Sequence, residues 1–396
     1  MGWGYLSRMQ RSFAVLESRV FDVLVIGGGI TGAGIARDAA MRGLSVAIVE
    51  KADWANGTSS KSSRLIHGGI RYLERGQLGL VRESVRERET LLRIAPHLVK
   101  PLEFTWPVYR GARLPKWKLR AGLTLYDLLA GKRRVRAHHS LDVSEVLEKE
   151  PGLRRDGLTG GASYYDAATD DAGLTRANIA SAAEHGAVGV NHAKAESTTV
   201  SDGKADGALV RDMLGDTSAR VSARVTVSAT GPWQAKGTKG SHIIVPRVRV
   251  GNHSAVTMTS PDDGRVMFVL PSGDTSVVGT TDIYTAETPD DVRASDAEIA
   301  YLLRAANAYF PDASLKTEDV VGTWAGIRPL ATAPAGTNPS SISREHRISR
   351  DRAGVLVITG GKLTTYRAMA AEVVNHIELA LSRKPRPAPT DQELLP

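Results

Sequence analysis

The stretch Phe21-Asp22-Val23-Leu24-Val25-Ile26-Gly27-Gly28-Gly29-Ile30-Thr31-Gly32-Ala33-Gly34 decides the fold class of this 396-residue chain. An apolar run meets three glycines and passes into a helix-forming segment, which is the strand, turn and helix that hold a dinucleotide diphosphate. Gly27 permits the tight turn, Gly29 lets the backbone approach the phosphates, and Gly32 allows the helix to pack closely on the strand. A helix starting near Ile30 points its free N–H groups at the anion. A second strand, Leu44 to Val49, ends at Glu50, 23 positions beyond Gly27, where a carboxylate suits the adenosine ribose. At this point nicotinamide and flavin cofactors both remain open.

The rest of the chain narrows the class. Length permits a large core and two domains. With no cysteine, disulfides, thiolate metal sites and thiol redox chemistry are excluded, so electron chemistry needs a bound cofactor. Lys and Arg number 51 against 43 Asp and Glu, and the net charge of +8 favours anionic partners such as a phosphorylated substrate or acidic lipid. Nucleic acid is disfavoured, since no nucleic-acid module is recognisable. His138, His139, His185 and His192 show no metal-ligand spacing. No apolar run reaches the roughly 18 residues that cross a bilayer, and Met1 to Arg19 lacks a signal-peptide centre. The expected location is the cytoplasm or the inner face of the cytoplasmic membrane.

Downstream, Leu80 to Ile94 reads as a charged helix, and Asp170 or Asp171 caps a helix running to His185. Short extended runs between Thr198 and Thr230 form a meander, after which antiparallel signals dominate at Ile243 to Val250, Ala255 to Met258, Val266 to Leu270 and Ser276 to Gly279. A buried strand returns at Val355 to Thr359, followed by Gly360-Gly361 and a helix from Lys362. This order predicts an α/β chain in which a Rossmann-like nucleotide domain (20–96, 166–236, 346–382) is interleaved with an antiparallel substrate domain (237–345) and a substrate or cap segment (97–165). The Pro-rich end, 383–396, reads as disordered. If the cofactor is a flavin, the helix beginning at Lys362 brings a second positive dipole end to the ring.

At Thr58-Ser59-Ser60-Lys61-Ser62-Ser63-Arg64-Leu65-Ile66-His67-Gly68-Gly69-Ile70-Arg71-Tyr72-Leu73-Glu74 the chain resembles FAD-dependent, quinone-linked glycerol-3-phosphate dehydrogenases, flavoproteins of the glutathione-reductase and D-amino-acid-oxidase type. The likeness recurs at Ala229-Thr230-Gly231-Pro232-Trp233, Lys239-Gly240-Ser241-His242-Ile243, Val278-Gly279-Thr280-Thr281-Asp282, Gly326-Ile327-Arg328-Pro329-Leu330 and Gly360-Gly361-Lys362-Leu363-Thr364-Thr365-Tyr366. It covers Phe21 to His376 and implies FAD, with oxidation of glycerol 3-phosphate by hydride transfer to flavin N5 and electrons passing to quinone. On this resemblance Arg71, Tyr72, Arg328, Arg344 and Lys362 surround the substrate. Thr58, Ser59, Ser60, His67, Thr230, Gly231, Gly361, Lys362, Leu363 and Thr364 join Gly27, Gly29, Gly32 and Glu50 as cofactor residues. His67 is the candidate base, because imidazole accepts a proton near neutral pH; an arginine or a water is the alternative.

Trp117-Lys118-Leu119-Arg120, with Leu123, Leu125, Leu128 and Leu129 and then Lys132, Arg133, Arg134 and Arg136, suits an anionic membrane surface or a helix packed on the core. The family's peripheral membrane character favours the first, and oligomer formation stays open. Two departures from the family pattern stand out: a short link between Trp233 and Lys239, and an end soon after the Lys362 helix, without the usual helical C-terminal domain. A related oxidase using oxygen, with a glycerophosphate or amine substrate, and a truncated non-catalytic flavin-binding protein stand as alternatives.

Overall fold

The computed structural model describes residues 13–231, 237–328 and 345–396. Strand Phe21–Ile26 is the centre of an eight-stranded sheet, pairing in parallel with Val46–Val49 on one side and Ser218–Ser228 on the other. Val188–Val190 and Leu356–Thr359 extend the parallel core outward, and Arg347–Arg350 adds an antiparallel edge. The all-buried Val46–Val49 reflects helices on the faces, since a parallel sheet needs both covered. Helices Ile30–Met41, Asp171–Glu184 and Tyr366–Ala380 share a core with these strands through Ile35, Ile179 and Val373. Asp170 caps the second of these helices through the Gly173 N–H, as expected. Ala193–Ser201 and Lys204–Asp212 form the meander that leads into Ser218–Ser228.

A ten-stranded, mainly antiparallel sheet lies beside it. Gly237–Pro246 pairs with Gly322–Arg328, Thr275–Gly279 and Ile283–Thr285, and the sheet continues through Val266–Ser272 and Ala255–Thr259 to Val99–Tyr109 and Leu158–Thr169. Leu65–Ile66 closes its edge, so the Thr58–Glu74 run places one short strand in this sheet and then turns at Ile70–Arg75. The strand expected over Ile243 to Val250 stops at Pro246. Arg247–Val250 is a helical turn closed by Gly251 at φ +74°.

The end of the chain corrects the expectation of disorder. Residues 383–396 lie against the helices through carbonyl groups that satisfy buried arginines: Arg37 donates to Thr390 O and Glu393 O, and Arg42 to Arg386 O. The Leu395 N–H donates to Ile94 O, and its side chain is buried. Composition predicts whether a segment can build its own core, whereas this one completes the hydrogen bonding of another.

Candidate active site

The glycine turn is built by contact. Gly27 sits at φ +111°, and a Cβ on Gly32 would collide with the Gly27 carbonyl. A Cβ on Gly28 would meet the Trp54 ring and the Glu50 side chain. Helix Ile30–Met41 begins with no side-chain cap from Gly29, and the Ile30 N–H donates to Ser59 Oγ at 2.9 Å. Glu50 accepts from the N–H groups of Gly28 at 2.7 Å and Ala52 at 3.0 Å, which orients the carboxylate and leaves lone pairs for hydroxyl donors. Backbone donors at a helix start, small hydroxyls and an oriented carboxylate are the donor set that a dinucleotide requires.

Ile30 and Thr31 open a cleft between the two sheets that Thr58, Ser59, His67, Tyr72, Arg328, Gly361, Lys362 and Leu363 also line. The sequence spreads these residues over most of the chain, and the fold brings them together through named bonds. Thr58 Oγ1 donates to Ile327 O at 2.7 Å, and the His67 N–H donates to Thr364 Oγ1 at 3.1 Å. The Lys362 ammonium stands 4.0 Å from the centre of the Tyr72 ring, a favourable cation–π distance. Gly360 and Gly361, at φ +74° and +90°, turn the returning strand toward the cleft. Ser60 is on the same 3-10 turn as Ser59 but bonds back to Gly57 O. Thr230 and Gly231 end strand Ser218–Ser228 beside Gly27, away from the cleft wall. Arg71 belongs to the turn Ile70–Arg75, its side chain being outside what is described, and Arg344 lies outside the described residues.

Arg328 is held as a fork. It donates to Asp282 Oδ1 at 2.9 Å, Thr281 O at 3.2 Å and Thr280 Oγ1 at 3.1 Å, while Arg265 takes the other Asp282 oxygen at 3.1 Å. Two guanidiniums on one buried carboxylate leave net positive charge at the cleft. A Cβ at Gly240 would strike the Arg328 guanidinium, so the glycine there makes room for it.

Two parts of the wall went unassigned in the sequence. Asp166 accepts from Arg88, from Tyr126 Oη at 2.7 Å and from the Gly68 N–H at 3.0 Å, fixing the Gly68-Gly69 bend from below. Burial, with Asp166 adjacent, pushes the Tyr126 phenol well above its usual range, so it stays a donor. His242 stacks on Trp324 at 4.9 Å, and its Nε2 lies 2.9 Å from Ser63 Oγ. Its Nδ1 has no hydrogen-bond partner among the described residues. A polar residue beside the apolar run 243–245 was the available signal.

Burial, then the charges of Arg328 and Arg64, lower the His242 pKa from 6.5 to about 3. Below about pH 6.5 the unfolded chain takes up a proton that the native imidazole refuses. Stability present above that pH is therefore lost as pH falls toward the native value, by up to about 1.4 kcal/mol per unit. Denaturant unfolding of His242→Gln against wild type is expected to give a difference that changes steadily between about pH 6.5 and about pH 4. A constant difference would remove the assignment of a neutral, buried imidazole.

A strand and glycine turn with an oriented acid, joined by a second glycine pair at the same cleft, define a dinucleotide-dependent oxidoreductase. The chain matches the model described as "FAD dependent oxidoreductase" over residues 22–375 and belongs to that family, with FAD as its cofactor. It is 40% identical over 375 residues to the aerobic glycerol-3-phosphate dehydrogenase of Staphylococcus saprophyticus, covering 91% of this chain and 67% of that protein. The enzyme of the same name from Staphylococcus epidermidis is 38% identical over 384 residues, with 93% and 69% covered. The crystal structure of the glycerol-3-phosphate dehydrogenase from Bacillus halodurans complexed with FAD superposes with a TM-score of 0.78 at 32% identity, over 96% of this chain and 68% of that one. The L-alpha-glycerophosphate oxidase of Mycoplasma pneumoniae shares the fold, with a TM-score of 0.69 at 16% identity over 96% and 99% of the two chains.

Proposed function

We propose that this chain oxidises sn-glycerol 3-phosphate to dihydroxyacetone phosphate and passes the electrons to a quinone. The observation that carries the reading is the meeting of Arg328 from one sheet and Lys362 from the other at a cleft shared with Gly361 and His67. The names of the dehydrogenase relatives supply the substrate. On this reading the eight-stranded sheet carries the cofactor and the ten-stranded sheet the substrate.

FAD held in this cleft would supply the two-electron acceptor for oxidation at substrate C2. Gly27, Gly29 and Gly32 would shape the diphosphate seat, and Glu50 would accept from the ribose. Ser59, which accepts from the Ile30 N–H and keeps its own proton, would donate to the cofactor, while Thr58 and Ser60 would offer it their acceptor oxygens. The planar Arg328 fork and the Lys362 ammonium hold the substrate phosphate, with Tyr72 under Lys362 and Arg71 and Arg344 completing the cationic set. His67 takes the hydroxyl proton as C2 is oxidised, its backbone tied to Thr364 so that the ring keeps its place.

Purified, FAD-loaded protein is expected to bleach when titrated anaerobically with glycerol 3-phosphate, and to reoxidise faster with a soluble quinone than with oxygen. A preparation that holds FAD and never bleaches overturns the catalytic reading, while stoichiometric peroxide under air assigns an oxidase instead. Helix Lys116–Ala130 supports access to a lipid-soluble acceptor. Trp117, Leu125 and Leu128 are exposed beside Lys118 and Arg120, whereas Leu123, expected on the same face, is buried in the core. Among the described residues no helix is long and apolar enough to cross a membrane, so the proposed contact is peripheral.

A further inference from the structure

Not every cation on this side of the molecule belongs to the cleft. Lys51, Lys61, Lys194 and Arg293 line a second pocket, together with Asp290 and Trp324. It is formed where the segment after Glu50, the strand Ala193–Ser201, the loop before helix Asp296–Tyr309 and the strand Gly322–Arg328 converge. Lys61 lines both spaces, and Trp324, on the wall of the second, stacks on His242 in the first.

The charges in this pocket do not balance. Four cations face one carboxylate, and Asp290 pairs with Lys51. Lys61 Nζ reaches the Pro289 carbonyl at 3.5 Å and forms no ion pair among the described residues. Arg293 donates to carbonyls of its own loop, Asp290 O at 3.2 Å and Val292 O at 2.8 Å. Burial, then repulsion from Arg293, lowers the Lys61 pKa, an effect Asp290 only partly opposes. Such a cluster of donors with an excess of positive charge is complementary to an oxyanion with several acceptor oxygens, which would relieve the repulsion and pair with more than one cation.

We propose that this second pocket binds a phosphoryl oxyanion, held by Lys61 and Arg293 with Lys194 at the rim. The anion is a free phosphate or a phosphate ester, one side chain removed from the substrate and distinct from the FAD diphosphate, which is proposed above to sit at the Gly27 turn.

Calorimetric titration of FAD-loaded protein with inorganic phosphate, and of FAD-stripped protein with FAD, tests the site. Lys61→Gln/Arg293→Gln is expected to lower phosphate affinity by about tenfold at a site that Arg328→Met retains, with FAD affinity at the wild-type value. Wild-type phosphate affinity in the double variant, or a loss confined to FAD affinity, overturns the proposal. Arg293→Gln alone, at an exposed position, serves if the double variant does not fold.

Discussion

Replacing Arg328 by methionine is expected to lower kcat/KM for glycerol 3-phosphate by about 10²- to 10⁴-fold while FAD content stays at the wild-type level. Two charge-assisted hydrogen bonds to phosphate, each contributing about 1.5–3 kcal/mol, set that range. Arg328→Lys restores the charge without the planar fork, and an intermediate loss is expected. The methionine variant leaves Asp282 in a one-to-one pair with Arg265, so its stability loss is expected to stay below the roughly 3 kcal/mol of an uncompensated buried charge. Unfolding midpoints of the variant therefore stay near wild type while substrate affinity falls. Steady-state kinetics decide the point, and a kcat/KM within about threefold of wild type would mean that another cation holds the phosphate.

What could be read in the chain before folding follows a physical division. Gly27, Gly32, the helix start at Ile30 and the Asp170 cap depend on neighbours within a few positions, and the sequence carries those signals directly. Burial of long polar side chains depends on partners far away. Nothing adjacent in sequence marks Arg37 and Arg88 as buried, yet both are, one completed by residues 390 and 393 and the other by Tyr126 and Asp166. The same division explains why 383–396 reads as disordered and why His242 passes unremarked although its motif is recognisable. The face of helix Lys116–Ala130 is divided likewise. Leu123 packs in the core among Phe104 and Leu119, while Trp117 and Leu128 stay exposed, and only the fold makes that selection.

Gly32→Ala tests the strongest local claim, and it is expected to abolish stable FAD binding. The added Cβ would collide with the Gly27 carbonyl, a backbone atom of the turn itself, so relief requires moving the helix start away from the strand or opening the turn. Either movement displaces the N–H groups at which the diphosphate is proposed to bind. It also strains a tightly packed region where overpacking costs about 1–3 kcal/mol. The expected preparation is nearly colourless, with FAD affinity reduced by at least about 100-fold and a lowered unfolding midpoint. Gly79→Ala is the matched control: it lies in helix Leu78–Ile94 and its Cβ would meet nothing within 4 Å, so yellow protein of at least wild-type stability is expected. Absorbance of bound flavin per protein and thermal unfolding read both variants. A Gly32→Ala protein that retains full FAD with an unchanged midpoint would show that the turn tolerates what its geometry forbids, and the diphosphate seat would have to be placed elsewhere.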